Sequence, residues 1–284
     1  MRIRTVDVAG TPTVCVRHGD RTVRVDRLLD GPPRDLVALL EQDVLGELGQ
    51  RLAAAVPDDA LVDADAPVLA PSARPGKILG IGLNYGAHAG DLGEQAPRTS
   101  PASFLKGNHT IAGPDEPIRR PGGIGTVTAE AEVGLVIGRP CYRVSVDEAM
   151  SYVAGICAVL DQTAEGVLLE NPRYLTRVKN YPTFFTYGPD LITLDEVDAA
   201  VGSLDDLRVS TVHNGEVHRT DTVAGMTFSP AELLSFHSHV MPFAPGDVLA
   251  TGTPGAVPIQ PGDRVTCVLG DGFSELTNPV VADA

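Results

Sequence analysis

Glu130-Ala131-Glu132-Val133-Gly134-Leu135-Val136-Ile137-Gly138 is the stretch on which the fold turns. Its period is two residues. Ala131, Val133, Leu135 and Ile137 fall on one face, and Glu130, Glu132 and Gly134 on the other, as in a β-strand with one side against a core. Two carboxylates side by side repel unless a positive charge sits between them, and Gly134 beside them leaves space open. A second apolar segment, Val153–Leu160, ends abruptly in Asp161. If the two strands are neighbours in one sheet, three carboxylates converge on a point at its edge. Hard oxygen donors of that number and charge suit Mg²⁺, Mn²⁺ or Ca²⁺ rather than zinc.

The rest of the chain sets bounds on that reading. At 284 residues it can bury a large core, as one domain or as a small one plus a larger one. The formal charge of −15 argues against nucleic acid and anionic membrane as partners, since both need a basic footprint. No apolar run is long enough to span a bilayer, and Met1–Asp7 lacks the apolar core of a secretory signal, so a cytoplasmic location is expected. Cys15, Cys141, Cys157 and Cys267 are scattered without a C-x-x-C pair, which predicts buried reduced thiols. Only three lysines, Lys77, Lys106 and Lys179, stand against nineteen arginines. A lysine kept in such a chain serves where a compact ammonium is needed. Lys77 is read as incidental.

Residues 1–70 read as a small α+β domain without chemistry. Arg2–Val8, Thr11–Arg17 and Thr22–Val25 form a β-meander, and a helix follows Pro32-Pro33 with Leu36, Leu40, Val44, Leu48 and Leu52 as its apolar stripe. A proline- and alanine-rich stretch, 66–76, places a boundary before a second domain, 71–284. There Lys77–Gly82 is a short buried strand running into Leu83–Asp91, and the glycine- and proline-rich residues that follow suit a flap. On a helical turn His88 and Asp91 would share a face, where a carboxylate can orient an imidazole, but the spacing alone favours a surface histidine beside a solvated aspartate. Ser145–Glu148 reads as a capping box, with Gly155 ending its helix, and Ser229-Pro230 opens another. Asn214-Gly215 asks for a type I′ hairpin turn. Gly252-Thr253-Pro254-Gly255 can bring amides to an anion. His237 and His239 read as structural, and His213 and His218 as exposed.

These pieces together resemble the fumarylacetoacetate hydrolase family over about residues 77–281. The features that carry the resemblance are Gly-Leu-Asn-Tyr-x-x-His (82–88), Phe-Leu-Lys (104–106), Glu-x-Glu with its Val-Ile-Gly strand (130–138), Asp161, Lys179, Gly188-Pro189, Asn214-Gly215-Glu216, Pro-Gly-Asp (245–247), Thr-Gly-Thr-Pro-Gly (251–255) and Leu276-Thr277-Asn278. Each is weak alone, but ten in order over two hundred residues are specific. The resemblance implies a mainly β fold with some α, a mixed β-sandwich roll, usually in a homodimer. It implies a divalent metal, Mg²⁺ or else Mn²⁺ or Ca²⁺, on Glu130, Glu132 and Asp161. His88 stands where the family carries its general base on a lid, with Asp91 in place of the usual glutamate. Lys179 would steady an oxyanion, and Tyr85, Lys106, Gly252, Thr253 and Glu165 would line the substrate, a small oxo or β-diketo acid.

The activity so implied is metal-dependent hydrolysis of a C–C bond in an acylpyruvate- or fumarylpyruvate-type acid through a metal-stabilised enolate. The alternatives are decarboxylation, isomerisation or dehydration of an oxo acid by the same chemistry, or a non-catalytic relative. Three residues bear on that choice. Hydrolytic members resembling this chain carry arginine and glutamine four and seven residues after the third metal ligand, where Glu165 and Leu168 stand here, and glutamine at the place of Arg219.

Overall fold

In the computed structural model, which describes residues 1–86 and 97–283, two β-sheets face each other across one large core. Thr128–Ile137 is the organising strand, and all ten of its residues are buried. It pairs antiparallel with Val153–Thr163 on one side and with Val248–Ala250 and Ala256–Pro258 on the other. The expected adjacency of the two acidic strands therefore holds, but the carboxylates do not lie at a sheet edge. They sit in the middle of the larger sheet. Outward from this centre the order continues through Phe185–Ile192 to Arg2–Val8, Thr11–His18 and Arg21–Arg24, and on the other side through Ile78–Gly82 to Ala102–Lys106. The smaller sheet runs Glu216–Thr222, Arg208–His213, Arg264–Leu269, Ser274–Ala282 and Ile118–Arg120. The chain is thus mainly β with some α, as the family resemblance implies.

The two-residue period decides where each core forms. Ala131, Val133, Leu135 and Ile137 point between the sheets, with Leu160, Leu249, Val265 and Leu276. The opposite face at Val136, Val159 and Val248 is covered by Leu36, Leu39, Leu48 and Leu52 from the first seventy residues. Each large aliphatic side chain so buried contributes about 1.5–3 kcal/mol. The N-terminal strand continues the large sheet directly, with Arg2 opposite Ile192 and Ile3 opposite Leu191. Arg4 clamps the buried Asp190 in a two-point contact, at 2.6 and 2.9 Å. Strands on both sides of residue 70 therefore share one sheet and one core.

Local details refine the sequence reading. The leucine stripe forms two helices, Leu36–Glu41 and Leu45–Ala54, because Asp43 turns left-handed between them with φ of 52°. Ser145 bonds only the Glu148 side chain and Gly155 lies inside a strand, so neither reading of that helix holds. A Cβ at Gly155 would come within 2.1 Å of Ile192 O, so the neighbouring strand requires glycine there. Ser229 and Glu232 do form a reciprocal capping box. Asn214 and Gly215 both have positive φ in the hairpin turn. No helix among the described residues is long and apolar enough to cross a membrane.

Candidate functional site

Cross-strand register assembles the acidic group. Glu130 is directly opposite Asp161, and Glu132 follows two residues along on the same face. One carboxylate oxygen from each of Glu130, Glu132 and Asp161 lies within 4.8 Å of the others, and all three residues are buried. Three like charges so placed would be prohibitive alone. Two ammonium groups offset them. Lys179 Nζ donates to Asp161 Oδ2 at 2.5 Å, to Thr163 Oγ1 at 2.6 Å and to Glu130 Oε2 at 3.3 Å. Lys106 Nζ lies 2.5 Å from Asp161 Oδ1 and donates to the backbone oxygens of Gln162 and Phe184. Lys106 thus ion-pairs with Asp161 Oδ1 while Lys179 takes Oδ2.

The electrostatics follow from burial and neighbours. Burial, then the charges of Asp161 and Glu130, push the Glu132 carboxyl well above its ordinary range. Only the Gly252 amide, donating to Oε2 at 2.8 Å, and Lys179 oppose this. Glu132 Oε1 is buried without a hydrogen-bond partner among the described residues. Burial pulls the Lys106 ammonium down to about 8 against the pull of Asp161. For Lys179 burial acts the same way, but Asp161 and Glu130 outweigh it and the pKa is raised. Buried hard oxygens converging on one point, with Glu132 Oε1 unpartnered among the described residues, make a donor set that fits a divalent cation. No chemistry of the residues present argues against one.

The remaining predicted site residues are placed as follows. Tyr85 is fully buried, its hydroxyl has no partner among the described residues, and burial together with the Asp221 and Glu132 charges raises its pKa. Gly252, at φ of 94°, spends its amide on Glu132, so that N–H is already used within the protein. Thr253 is buried, its hydroxyl bonded to Gly255. Glu165 starts the helix Glu165–Glu170, half-buried, and burial and the Glu130 charge raise its pKa. Leu168 packs against the main core, and Arg219 lies along Gly255, where a Cβ would meet its Cγ at 2.6 Å. His88 and Asp91 lie outside the described residues.

Two readings need correction. Gly134 leaves no open space beside the carboxylates, because a Cβ there would meet Val159 Cγ2 at 2.7 Å and Cys157 Sγ at 2.9 Å. His213 is not simply exposed, since its Nε2 lies 3.0 Å from Asp263 Oδ2. Lys77 pairs with the buried Asp247 at 2.7 Å, a structural contact. His237 and His239 both bond backbone oxygens four residues earlier on their helix, as expected of structural histidines. Thr163 was not singled out, yet it relays Lys179 to Glu130 Oε1, to which it donates at 2.8 Å. Its signal was present, because it stands two residues beyond Asp161 on the same face. Phe104, which carries the Lys179 ammonium 4.4 Å from its ring centroid, gave no such signal.

Comparison with known proteins agrees with this geometry. The model of the fumarylacetoacetate (FAA) hydrolase C-terminal family matches residues 77–281. Protein Rv2993c of Mycobacterium tuberculosis is 35% identical over 219 residues, 77% of this chain and 80% of that protein. Among solved structures, 5-carboxymethyl-2-hydroxymuconate delta-isomerase from Mycobacterium smegmatis is 28% identical with a TM-score of 0.76, and 100% of each chain is covered. Maleylpyruvate hydrolase from Sphingobium sp. SYK-6, in complex with manganese(II) and pyruvate, is 25% identical with a TM-score of 0.79, again with 100% of both chains covered.

Proposed function

The chain belongs to the fumarylacetoacetate hydrolase family, and from that premise we propose that it is a divalent-metal-dependent hydrolase cleaving a C–C bond in a small β-diketo or oxo acid. The observation that carries this reading is the Glu130–Asp161 cross-strand pair, with Glu132 beside it and a buried oxygen left unpartnered. Glu130, Glu132 and Asp161 would hold Mg²⁺ or Mn²⁺, which when bound polarises a carbonyl and neutralises developing negative charge. The chain's own residues do the rest. Lys106 and Lys179 pair with Asp161, and the Gly252 amide holds Glu132 Oε2. His88, with Asp91 as its acidic partner, would take a proton from water. The hydroxide adds to the ketone, the C–C bond breaks with its electron pair leaving on the oxo-acid fragment as an enolate, and that carbon takes the proton held by His88. Lys179 would steady the charge that forms by shifting a donor from the carboxylates it now holds, and Thr253 and its loop would bind the substrate carboxylate.

Acylpyruvates, fumarylpyruvate and oxaloacetate assayed with Mg²⁺ or Mn²⁺ test this reading. Turnover should require the metal, vanish in Glu132→Ala and drop sharply in His88→Ala. Undiminished turnover in His88→Ala would remove the base assigned here. Sedimentation tests the homodimer that belongs to the same proposal.

Glu165 favours a second reading, isomerisation of an enolisable acid. Its half-buried carboxyl has no hydrogen-bond or ion-pair partner among the described residues, and its raised pKa suits proton exchange with carbon. Deuterium uptake from D₂O without cleavage would support isomerisation, whereas cleavage products would support the hydrolase.

A further inference from the structure

Lys106 and Lys179 reach Asp161 from elements that are not neighbours. Lys106 ends Ala102–Lys106, the edge strand of the large sheet, which pairs with Ile78–Gly82. Lys179 ends the short helix Leu175–Lys179. Their ammonium groups nonetheless take opposite oxygens of one carboxylate, each at 2.5 Å. Two backbones must be held in register for that, and the residue after Lys179 holds them. Asn180 Nδ2 donates to Leu105 O at 3.1 Å, and Asn180 Oδ1 accepts from Gly107 N at 2.8 Å. Those two backbone groups flank Lys106. The primary amide thus gives a free sheet edge the donor and acceptor that a partner strand would supply.

A third contact tightens the arrangement. The Asn180 carbonyl lies 2.8 Å from His109 Nε2, an acceptor that assigns the proton to that nitrogen. The turn after Lys106 is thereby folded onto the same residue. Gly107 permits it, since a Cβ there would sit 2.6 Å from the His109 ring.

We propose that Asn180 is a positioning residue, a clasp that sets the Lys106 and Lys179 ammonium groups on either side of Asp161. The inference rests on the reading of this cluster as the reactive site, so its test includes a readout that needs neither substrate nor metal. The chain has only three lysines. Lysine-selective ¹³C labelling therefore gives three ε-methylene signals, assignable by single Lys→Arg variants. In the metal-free full chain, Asn180→Ala should displace the Lys106 and Lys179 signals and leave Lys77 in place, with native circular dichroism. Asn180→Asp keeps the acceptor for Gly107 and loses the donor to Leu105, and should displace the same two signals less. Leu105→Ala, which trims a half-exposed side chain on the same strand, should move neither. With a substrate in hand, kcat for Asn180→Ala should fall about ten- to a hundredfold with KM near wild type.

Lysine signals unmoved in a folded Asn180→Ala, or moved equally by Leu105→Ala, would overturn the clasp. Should Asn180→Ala not fold, the Asn180→Asp spectrum decides by the same criterion. Unmoved signals in an active enzyme would sink the clasp and leave the proposed function intact. Displaced signals in a protein without turnover would do the reverse.

Discussion

One face of the strand Thr128–Ile137 is built in two halves that obey opposite rules. At its C-terminal half, Gly134 and Val136 meet Cys157, Val159 and Val248 under the N-terminal helices, in contact too close for a Cβ. At its N-terminal half, Glu130 and Glu132 meet Asp161, and two lysines are needed to make the burial tolerable. Both halves are buried and both pair antiparallel with Val153–Thr163. The apolar half gains by leaving water. The acidic half loses by it, and exists only because the apolar half and the two facing sheets hold the strand in place. Stability in one half is the condition for reactivity in the other.

The comparison breaks most forcefully at Asp161. Asp161→Ala leaves two buried ammonium groups without their shared anion and should cost about 3–5 kcal/mol in denaturant unfolding. It should also abolish any rise in Tm on adding Mn²⁺. Gly134→Ala tests the apolar half. The new methyl overlaps Val159 and Cys157, and overpacking should cost about 1–3 kcal/mol while the Mn²⁺ response survives. A lost response would mean that the halves are not separable.

Glu132→Gln should sharpen the contrast by moving stability the other way. Because the Glu132 pKa is raised, its ionised form weakens the folded state above the ordinary carboxylate range. The neutral amide should therefore raise the metal-free Tm at pH 8 and remove the Mn²⁺ response. A lower Tm would show that the carboxylate is not repelled there.

The smallest effect belongs to His237, remote in sequence from both halves. Burial lowers its pKa below 6.5. The unfolded chain then binds a proton the folded chain resists, so stability is complete above pH 6.5 and declines as pH falls towards the folded value. His237→Leu should flatten this decline. Equal slopes in both proteins would clear His237 of the effect.

The acidic group was legible because strand period and adjacency are short-range rules, and Glu130, Glu132 and Asp161 obey both. What escaped depends on distance in space. Gly134 looked like open space, because a sequence does not say which side chains of the next strand lean over a glycine. The carboxylates looked like an edge feature, because Val248–Ala250 and Ala256–Pro258 arrive more than a hundred residues later to pair on the far side. The leucine stripe read as one helix because period alone does not register a left-handed Asp43. Lys106 and Lys179 stood out through scarcity, but that both serve one carboxylate follows only from folding. The Glu165 and Leu168 departures also separate in space, one beside the site and the other in the core.

The four cysteines have a use beyond chemistry. All are buried thiols, and burial raises the pKa of each. Cys15 lies in the N-terminal meander, Cys157 in the strand beside the acidic group and Cys267 in the smaller sheet, while Cys141 bridges to Phe243. An alkylating reagent therefore modifies each only when its own layer opens. Peptide-resolved labelling would time-stamp the layers separately, and early capture of Cys15 would show the first seventy residues peeling off while the barrier around Asp161 stays shut.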